Sequence, residues 1–294
     1  MKKEGRKKTL LDLQKMKKEG EKAVFITSYD YPFALYADRA GVDMILVGDS
    51  GGMTTLGYKT TNPVTMDEMI TMASAVCRAV EFSFVIGDMP YMSYQPSDRD
   101  AVVNAGKFIK VGCDAVKIEG GKGMAPRVKA MVDSGIIVMG HLGLTPQSTA
   151  SFGGYRVQGK TLDSFKMILE DALALQEAGI SFLLLEAMPA ESAGLIAKAL
   201  SVPVYGIGAG DQVDGTLVII HDILGMFEWF VPKFIKRYAD IGENITDAVG
   251  RYADEVRKRK FPQKENIYPI EKENLRKIEE WYNNTRRLKH KKER

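Results

Sequence analysis

The chain has 294 residues and a formal net charge of +3, from 41 basic and 38 acidic side chains. That length suits one large domain, such as a barrel or an open sheet, or two ordinary domains. Hydrophobic residues make up 45% of the sequence and charged residues 27%, which excludes a disordered, collagen-like or coiled-coil chain. Two cysteines, Cys77 and Cys113, are too few for a disulfide framework or a multi-thiolate zinc site.

The charge is distributed unevenly along the chain. Residues 1–22 carry a net +5 and residues 257–294 a net +8, whereas the body between them carries −10. Basic ends can bind nucleic acid, but neither end interleaves aromatic and basic residues as a base-stacking surface does. We therefore expect solvated tails or surface helices at both ends, and no nucleic-acid partner.

No targeting or membrane segment is evident. The first residues, MKKEGRKK, lead into no apolar signal segment, and no apolar run approaches the roughly 20 residues of a membrane span. The sequence therefore predicts a soluble, cytoplasmic protein that has no membrane partner.

From residue 23, short apolar runs alternate with amphipathic stretches. The runs have the continuous apolar character of strands buried on both faces of a parallel sheet, and they lie at 23–30, 44–50, 83–90, 115–121, 136–143, 181–189, 202–210 and 217–225. Helical stretches between them include 65–80, 97–112 and 162–179. Eight such runs predict a (β/α)8 TIM barrel with extra C-terminal helices. A doubly wound open sheet is the alternative, but no phosphate loop follows the first strand.

The last part of the chain changes pattern. The connection between GIGAG (206–210) and the eighth run is short, so its helix is expected to be reduced or missing. Residues 226–238 and 245–260 are predicted to be helices that close the barrel, followed by an extended linker and a charged helix at 271–294. The predicted organisation is a basic N-terminal segment at 1–22, a catalytic barrel at 23–262 and a charged C-terminal extension at 263–294.

Ionisable side chains stand at the ends of the predicted strands, where a barrel places its active site. They are Asp30, Asp49, Asp88, Glu119, His141, Glu186 and Asp222. Neighbouring carboxylates raise one another's pKa, and a bound divalent cation removes that penalty. Oxygen ligands favour Mg²⁺, so we predict a catalytic metal site. For Asp30 and Asp222, capping of the next helix is an equally good interpretation.

Three further side chains suit chemistry at this rim. Lys117 alternates with Glu119 on one strand, so both point into the barrel. A lysine buried there must pair with acids or contact an anionic substrate. Glu186 follows three leucines, an apolar setting that suits a general base. His141 could ligate metal, move protons or bond to a neighbouring group. The glycines of GIGAG miss the dinucleotide-binding spacing and are predicted to form a tight turn.

Ten segments, all in the same order, resemble the ketopantoate hydroxymethyltransferase family over about residues 24–262. The most specific are GHLGLTPQS (140–148) and FGGYRVQG (152–159), and VGDS, GDMP, KIEGG and LLLEAMP carry the candidate site residues. The resemblance implies that a one-carbon unit passes from 5,10-methylenetetrahydrofolate to C3 of 3-methyl-2-oxobutanoate. The product is 2-dehydropantoate, in the first step of pantothenate biosynthesis. It also implies homo-oligomers, commonly decamers.

The resemblance also implies a role for each matching residue. Asp49, Asp88 and Glu119 would bind one Mg²⁺ per subunit, and Glu186 would accept the C3 proton. The 2-oxo acid would contact Asp49, Ser50, Asp88 and Lys117, while His141 would stand behind these groups or on the folate side.

The chain departs from the family after Phe261-Pro262, where KENIYP and a basic tail follow. Two other functions stay open at this point. One is another Mg²⁺-dependent lyase or mutase of the phosphoenolpyruvate mutase/isocitrate lyase group, although the lyases of that group use a cysteine that is absent from this rim. The other is a non-enzymatic scaffold whose basic tail binds nucleic acid or a partner.

Overall fold

A computed structural model describes residues 5–152, 154 and 156–292. Gly153 and Tyr155 of the FGGYRVQGK motif lie outside the described residues, as do the outermost residues of the two basic ends. The chain divides into two compact units, Met1–Asp240 and Ile241–Arg294. No described helix is long and apolar enough to cross a membrane.

The first unit contains a closed barrel of eight parallel strands, in which each strand pairs with the next and the eighth pairs with the first. The strands are β1 (Ala23–Thr27), β2 (Met44–Val47), β3 (Phe84–Asp88), β4 (Ala115–Glu119), β5 (Val138–Gly143), β6 (Phe182–Glu186), β7 (Val204–Ile207) and β8 (Gly215–Val218). Each overlaps one predicted run. The predicted (β/α)8 barrel is confirmed, and the open sheet is excluded.

Helices surround this barrel. In the first unit they are α1 (Leu10–Glu19), α2 (Tyr31–Ala40), α3 (Gly51–Thr54), α4 (Met66–Ala79), α5 (Asp98–Lys110), α6 (Ala125–Asp133), α7 (Leu162–Ala178), α8 (Ala190–Ala199) and α9 (Ile220–Ile223), with 3-10 turns at Lys122–Met124 and Pro146–Phe152. Local sequence sets their ends: Thr65 and Glu68 form a capping box that begins α4, and Gly179 ends α7 in the left-handed conformation. As predicted, β7 and β8 are joined without a helix, as the described residues between them show.

The second unit consists of helices. They are α10 (Ile241–Arg257) and α11 (Lys272–Lys292), with a 3-10 turn at Lys264–Asn266 between them. These are the extra C-terminal helices that the sequence predicts.

Two predictions for the end of the barrel are wrong. The eighth apolar run was predicted to be a single strand, but β8 ends at Val218 and the short helix α9 follows it. Residues 226–238 were predicted to be a helix and are instead irregular. Pro232 lies in the middle of that segment, and a proline inside a helix removes one hydrogen bond and clashes with the preceding turn.

Asp30 caps the amino-terminal end of α2, which is one of the two roles that the sequence left open for it. Its Oδ1 accepts a hydrogen bond from the Phe33 N–H at 2.9 Å.

The helix α1 closes the amino-terminal end of the barrel. Its Leu13 and Met16 are buried in the cluster of side chains that fills the barrel interior. Around it, lysines pair with aspartates that immediately precede strands: Lys8 with Asp43 at 2.9 Å, Lys7 with Asp114 at 2.7 Å and Lys17 with Asp214 at 2.7 Å. The basic amino-terminal segment is therefore a packed part of the barrel from Lys7 onward and is not a solvated tail.

We predict that Leu13→Ala destabilises the protein by about 2–5 kcal/mol, because it removes a buried side chain and leaves a cavity. Leu13 is 1% exposed, whereas Leu11, on the same helix, is 74% exposed. Leu11→Ala is therefore the matched control and should change the free energy of unfolding by less than about 0.5 kcal/mol. Urea denaturation followed by circular dichroism measures both. Equal effects of the two substitutions would show that α1 does not contribute to the core.

Candidate active site

A cavity of about 580 Å³ opens at the carboxyl ends of the strands. The predicted site residues that line it are Asp49, Ser50, Asp88, Lys117, His141, Glu186 and Asp222. Glu119 lies behind this wall, 96% buried and in contact with two of the lining residues. The structure thus brings together every predicted site residue except Asp30, which caps α2.

The buried ammonium group of Lys117 lies among carboxylates. Its Nζ is 2.8 Å from Asp88 Oδ2 and 3.3 Å from Glu119 Oε1, and all three side chains are almost fully buried. Burial alone lowers the pKa of Lys117, but the negative charges of Asp88, Glu119 and Asp49 outweigh it and raise that pKa well above its ordinary value. Lys117 therefore carries a fixed positive charge inside the barrel.

Asp49 and Asp88 lie side by side at the ends of β2 and β3. Asp88 Oδ2 accepts a hydrogen bond from the Asp49 N–H at 3.1 Å. Burial, together with the negative charges of Asp88 and Glu119, outweighs the effect of Lys117 and raises the pKa of Asp49 well above its ordinary value. Burial also raises the pKa of Asp88, which Lys117 partly offsets. Both carboxylates thus need either protons or an additional positive charge.

The aspartate pair fits a divalent cation. Asp88 Oδ1 is buried and has no hydrogen-bond partner among the described residues, which leaves a hard oxygen available as a ligand. The described residues contain no group of three or more acidic, histidine or cysteine side chains arranged around one metal position. Two carboxylates are nevertheless enough for Mg²⁺, which keeps several waters and often binds through one or two protein carboxylates.

Both carboxylate oxygens of Glu119 already have partners within the protein. Its Oε1 lies 3.3 Å from both Lys117 Nζ and His141 Nδ1, and its Oε2 accepts a hydrogen bond from the Gln147 N–H at 3.0 Å. Burial raises the pKa of Glu119, but the contacts with Lys117 and His141 outweigh it and lower that pKa below its ordinary value. Glu119 is therefore a charged partner that holds Lys117 and His141.

Gln147 donates hydrogen bonds to both Asp49 and Glu119, and the sequence analysis did not predict a role for it. Its Nε2 donates to Asp49 Oδ2 and to the Met89 carbonyl, both at 3.0 Å. The Tyr94 hydroxyl in turn donates to Gln147 Oε1 and accepts from the Glu119 N–H, both at 2.9 Å. An uncharged residue in an irregular segment gives no periodic signal, but Gln147 lies within GHLGLTPQS, one of the most specific motifs.

His141 lies between Glu119 and Glu186. Its Nε2 is 3.3 Å from Glu186 Oε2, and neither ring nitrogen meets hydrogen-bond geometry with a described residue. Burial and Lys117 lower the pKa of His141, but the two glutamates outweigh them and raise it above its ordinary value. His141 thus links the acid cluster electrostatically to the predicted base.

The backbone around Glu186 is shaped by its neighbours. Gly143 has φ +88°, and a Cβ there would lie 2.4 Å from the Glu186 carbonyl oxygen, so only glycine permits this approach of β5 to β6. Ala187, which follows Glu186, also has a positive φ of 49°. A positive φ strains the backbone of a non-glycine residue, and residues with strained backbones are concentrated at functional sites.

The side chain of Ser50 is held by the buried hydroxyl group of Tyr29. Its Oγ is 2.8 Å from the Tyr29 hydroxyl oxygen. Burial raises the pKa of Tyr29 to about 12, so this hydroxyl stays protonated at neutral pH. Only the family resemblance pointed to Ser50, and the structure places this residue among those that line the cavity.

We predict that Gln147→Ala weakens metal binding by about 10- to 100-fold, because the groups that orient ligands contribute that much to affinity. Titration calorimetry with Mg²⁺ or Mn²⁺ measures the effect. Gln212→Ala, at an exposed position outside the cavity, is the matched control and should bind metal as the unchanged protein does. Equal affinities of the two variants would contradict the orienting role of Gln147.

Solved structures share this architecture. Phosphonopyruvate hydrolase in complex with oxalate and Mg²⁺ aligns over 94% of this chain and 96% of its own, with a TM-score of 0.58 and 12% identity. A phosphoenolpyruvate phosphomutase from Streptomyces platensis subsp. rosaceus covers 95% of this chain and 99% of its own, with a TM-score of 0.57 and 16% identity. At these identities the likeness shows the fold alone.

Sequence similarity is far higher within one family. The family described as ketopantoate hydroxymethyltransferase matches residues 7–264. A 3-methyl-2-oxobutanoate hydroxymethyltransferase from Moorella thermoacetica is 54% identical over 88% of this chain and 97% of its own length. One of the same name from Alkaliphilus metalliredigens is 50% identical over 90% and 94%. The chain therefore belongs to the ketopantoate hydroxymethyltransferase family.

Proposed function

We propose that this protein transfers a hydroxymethyl group from 5,10-methylenetetrahydrofolate to 3-methyl-2-oxobutanoate, giving 2-dehydropantoate, in the first step of pantothenate biosynthesis. The observation that carries the proposal is the arrangement of charges on one cavity wall. This wall holds the ammonium group of Lys117, the carboxylates of Asp49 and Asp88, which fit a cation, and the carboxylate of Glu186, which contacts His141. A reaction at the carbon next to a 2-oxo group requires these kinds of group close together. Membership of the family supports the same reaction.

We infer that Mg²⁺ binds at Asp49 and Asp88, whose donor atoms fit it, with Glu119 as the third predicted ligand. When bound, the ion would act as a Lewis acid that polarises the 2-oxo group and acidifies the neighbouring C3–H. Asp49, Asp88, Ser50 and Lys117 would also contact the 2-oxo acid.

The protein's own groups would then perform the following work. Lys117 Nζ provides a fixed positive charge where negative charge develops on the 2-oxo oxygen, which stabilises the enolate. Ser50, held by Tyr29, orients the acid. Glu186 takes the C3 proton at a carboxylate oxygen. His141, whose Nε2 contacts Glu186 Oε2, holds that carboxylate in position. C3 then bonds to the methylene carbon of the folate as the bond from that carbon to N10 breaks, and water displaces N5 from it, which leaves the hydroxymethyl group on C3. The proton taken by Glu186 and one proton of the water pass to N10 and N5, which gives tetrahydrofolate.

Assembly is also part of the proposal. We expect homo-oligomers in the cytoplasm, as the family resemblance implies. The helix α10 carries apolar side chains at Ile245, Val249, Tyr252 and Val256, each at least 43% exposed in this chain. Their spacing places them on one face of the helix, which suits burial against another copy.

The activity test is formation of 2-dehydropantoate from purified protein, Mg²⁺, 3-methyl-2-oxobutanoate and 5,10-methylenetetrahydrofolate. We expect product only when all components are present. Cleavage of a hydroxy acid without folate-dependent product would instead support a lyase. No cysteine is among the described residues that line the cavity, and Cys113 lies two residues before the start of β4, at the opposite end of the barrel.

We predict that Glu186→Gln keeps Mg²⁺-dependent binding of the 2-oxo acid and slows exchange of its C3 proton by about 10²- to 10⁴-fold, because it removes the base. Proton NMR in deuterated water measures the exchange. Asp49→Ala should instead lose the metal-dependent binding. Glu191→Gln, at an exposed acid on α8, is the matched control and should exchange at the normal rate. Normal exchange by Glu186→Gln would show that the base is another group.

A further inference from the structure

The cavity is larger than the 2-oxo acid alone requires. A volume of about 580 Å³ is in the range of sites that hold a drug-sized ligand. Besides the charged groups described above, three aromatic side chains from the irregular segment 226–238 line it: Phe227, Phe230 and Phe234. This aromatic wall has no role in the steps assigned to the charged groups.

Specific packing holds the aromatic wall in place. Phe227 is buried, and its ring meets Phe230 edge-on, with centroids 5.7 Å apart and planes at 82°. Phe234 lies against Gly208, where a Cβ would be 2.5 Å from Phe234 Cδ1. Phe230 and Phe234 remain 50% and 44% exposed, so their ring surfaces are available to a planar ligand.

Asp222 is an unpartnered acid in the same cavity. It is 94% buried and lines the cavity, yet its side chain makes no hydrogen bond with any described residue. Burial raises the pKa of Asp222 to about 6, while Arg237 acts in the opposite direction. A buried carboxylate without donors is costly, so the position favours a ligand that supplies N–H groups.

The chemistry of the two substrates decides which of them Asp222 faces. The 2-oxo acid is an anion, which a second carboxylate repels. The pyrimidine ring of the folate's reduced pterin is flat and has a 2-amino group beside a ring N–H on the edge remote from N5, where the one-carbon unit is attached. Two adjacent donors match the two oxygens of a carboxylate.

We propose that Asp222 binds the 2-amino edge of the pterin while the ring lies against the aromatic wall of Phe227, Phe230 and Phe234. Arg156 and Lys233 line the same cavity and are exposed, which suits the glutamyl carboxylates of the folate. This assignment rests on the proposed function, because it names the residues that recognise its folate substrate.

The first test is Asp222→Asn, which preserves the size of the side chain and removes one acceptor. The KM for 5,10-methylenetetrahydrofolate should rise about tenfold or more, because hydrogen bonds to a charged group are lost. The KM for the 2-oxo acid and the folate-independent C3 exchange should stay within twofold of the unchanged protein. Glu228→Gln, an exposed acid in the adjoining segment, is the matched control and should alter none of these.

The second test changes the ligand and compares the unchanged enzyme with Asp222→Asn. Tetrahydrofolate and its 2-desamino-2-methyl analogue are compared as inhibitors of the unchanged enzyme, where the analogue should bind about tenfold or more weakly. In Asp222→Asn the two should bind within about threefold of each other. Equal inhibition of the unchanged enzyme, or a discrimination that persists in the variant, overturns the assignment.

The two proposals fail in different ways. An unchanged protein that forms no 2-dehydropantoate contradicts the proposed function. Normal product formation, with a folate KM that Asp222→Asn leaves within twofold, contradicts only the role of Asp222.

Discussion

The buried ammonium group of Lys117 is the interaction on which the site depends. Moving a charge of this kind out of water costs several kcal/mol unless other charges and hydrogen bonds compensate for it. The barrel provides that compensation through its register, because Asp88 on β3 pairs with Lys117 on β4 and Glu119 pairs with His141 on β5. Glu186 on β6 pairs with Gly143, two residues beyond His141. The line of charges thus follows the order of the strands.

The same interaction explains why the two aspartates fit a metal ion. Lys117 contacts Asp88 and Glu119 directly, and Glu119 also has His141 and Gln147 as partners. Asp49 receives a hydrogen bond from neutral Gln147, and one oxygen of Asp88 has no partner among the described residues. Negative charge is therefore least compensated at Asp49 and Asp88, which is where a divalent cation would be most stabilising.

The sequence predicts the barrel because short apolar runs alternate regularly with amphipathic stretches. It predicts most of the acid cluster because the acids stand at the ends of those apolar runs. Lys117 and Glu119 could be placed together, since residues two apart share one face of a strand. The region after β7 was less predictable. A short apolar run such as 217–225 can be strand or helix, and periodicity alone does not separate the two. Asp222 was therefore placed at a strand end, whereas it lies on α9 and faces the cavity. Gln147 was missed because its role depends on contacts with three distant segments of the chain.

The uneven charge of the chain has a different meaning at each end of the barrel. At the amino-terminal end, Asp43, Asp114 and Asp214 pair with lysines near or on α1, so part of the basic segment neutralises part of the acidic body. At the carboxyl end the acids are too deeply buried for solvent to screen them, and Lys117 compensates for them only in part. A net charge of −10 for the body therefore does not by itself indicate a metal site. The position of the lysines does, because it leaves uncompensated carboxylates at one end of the barrel and not at the other.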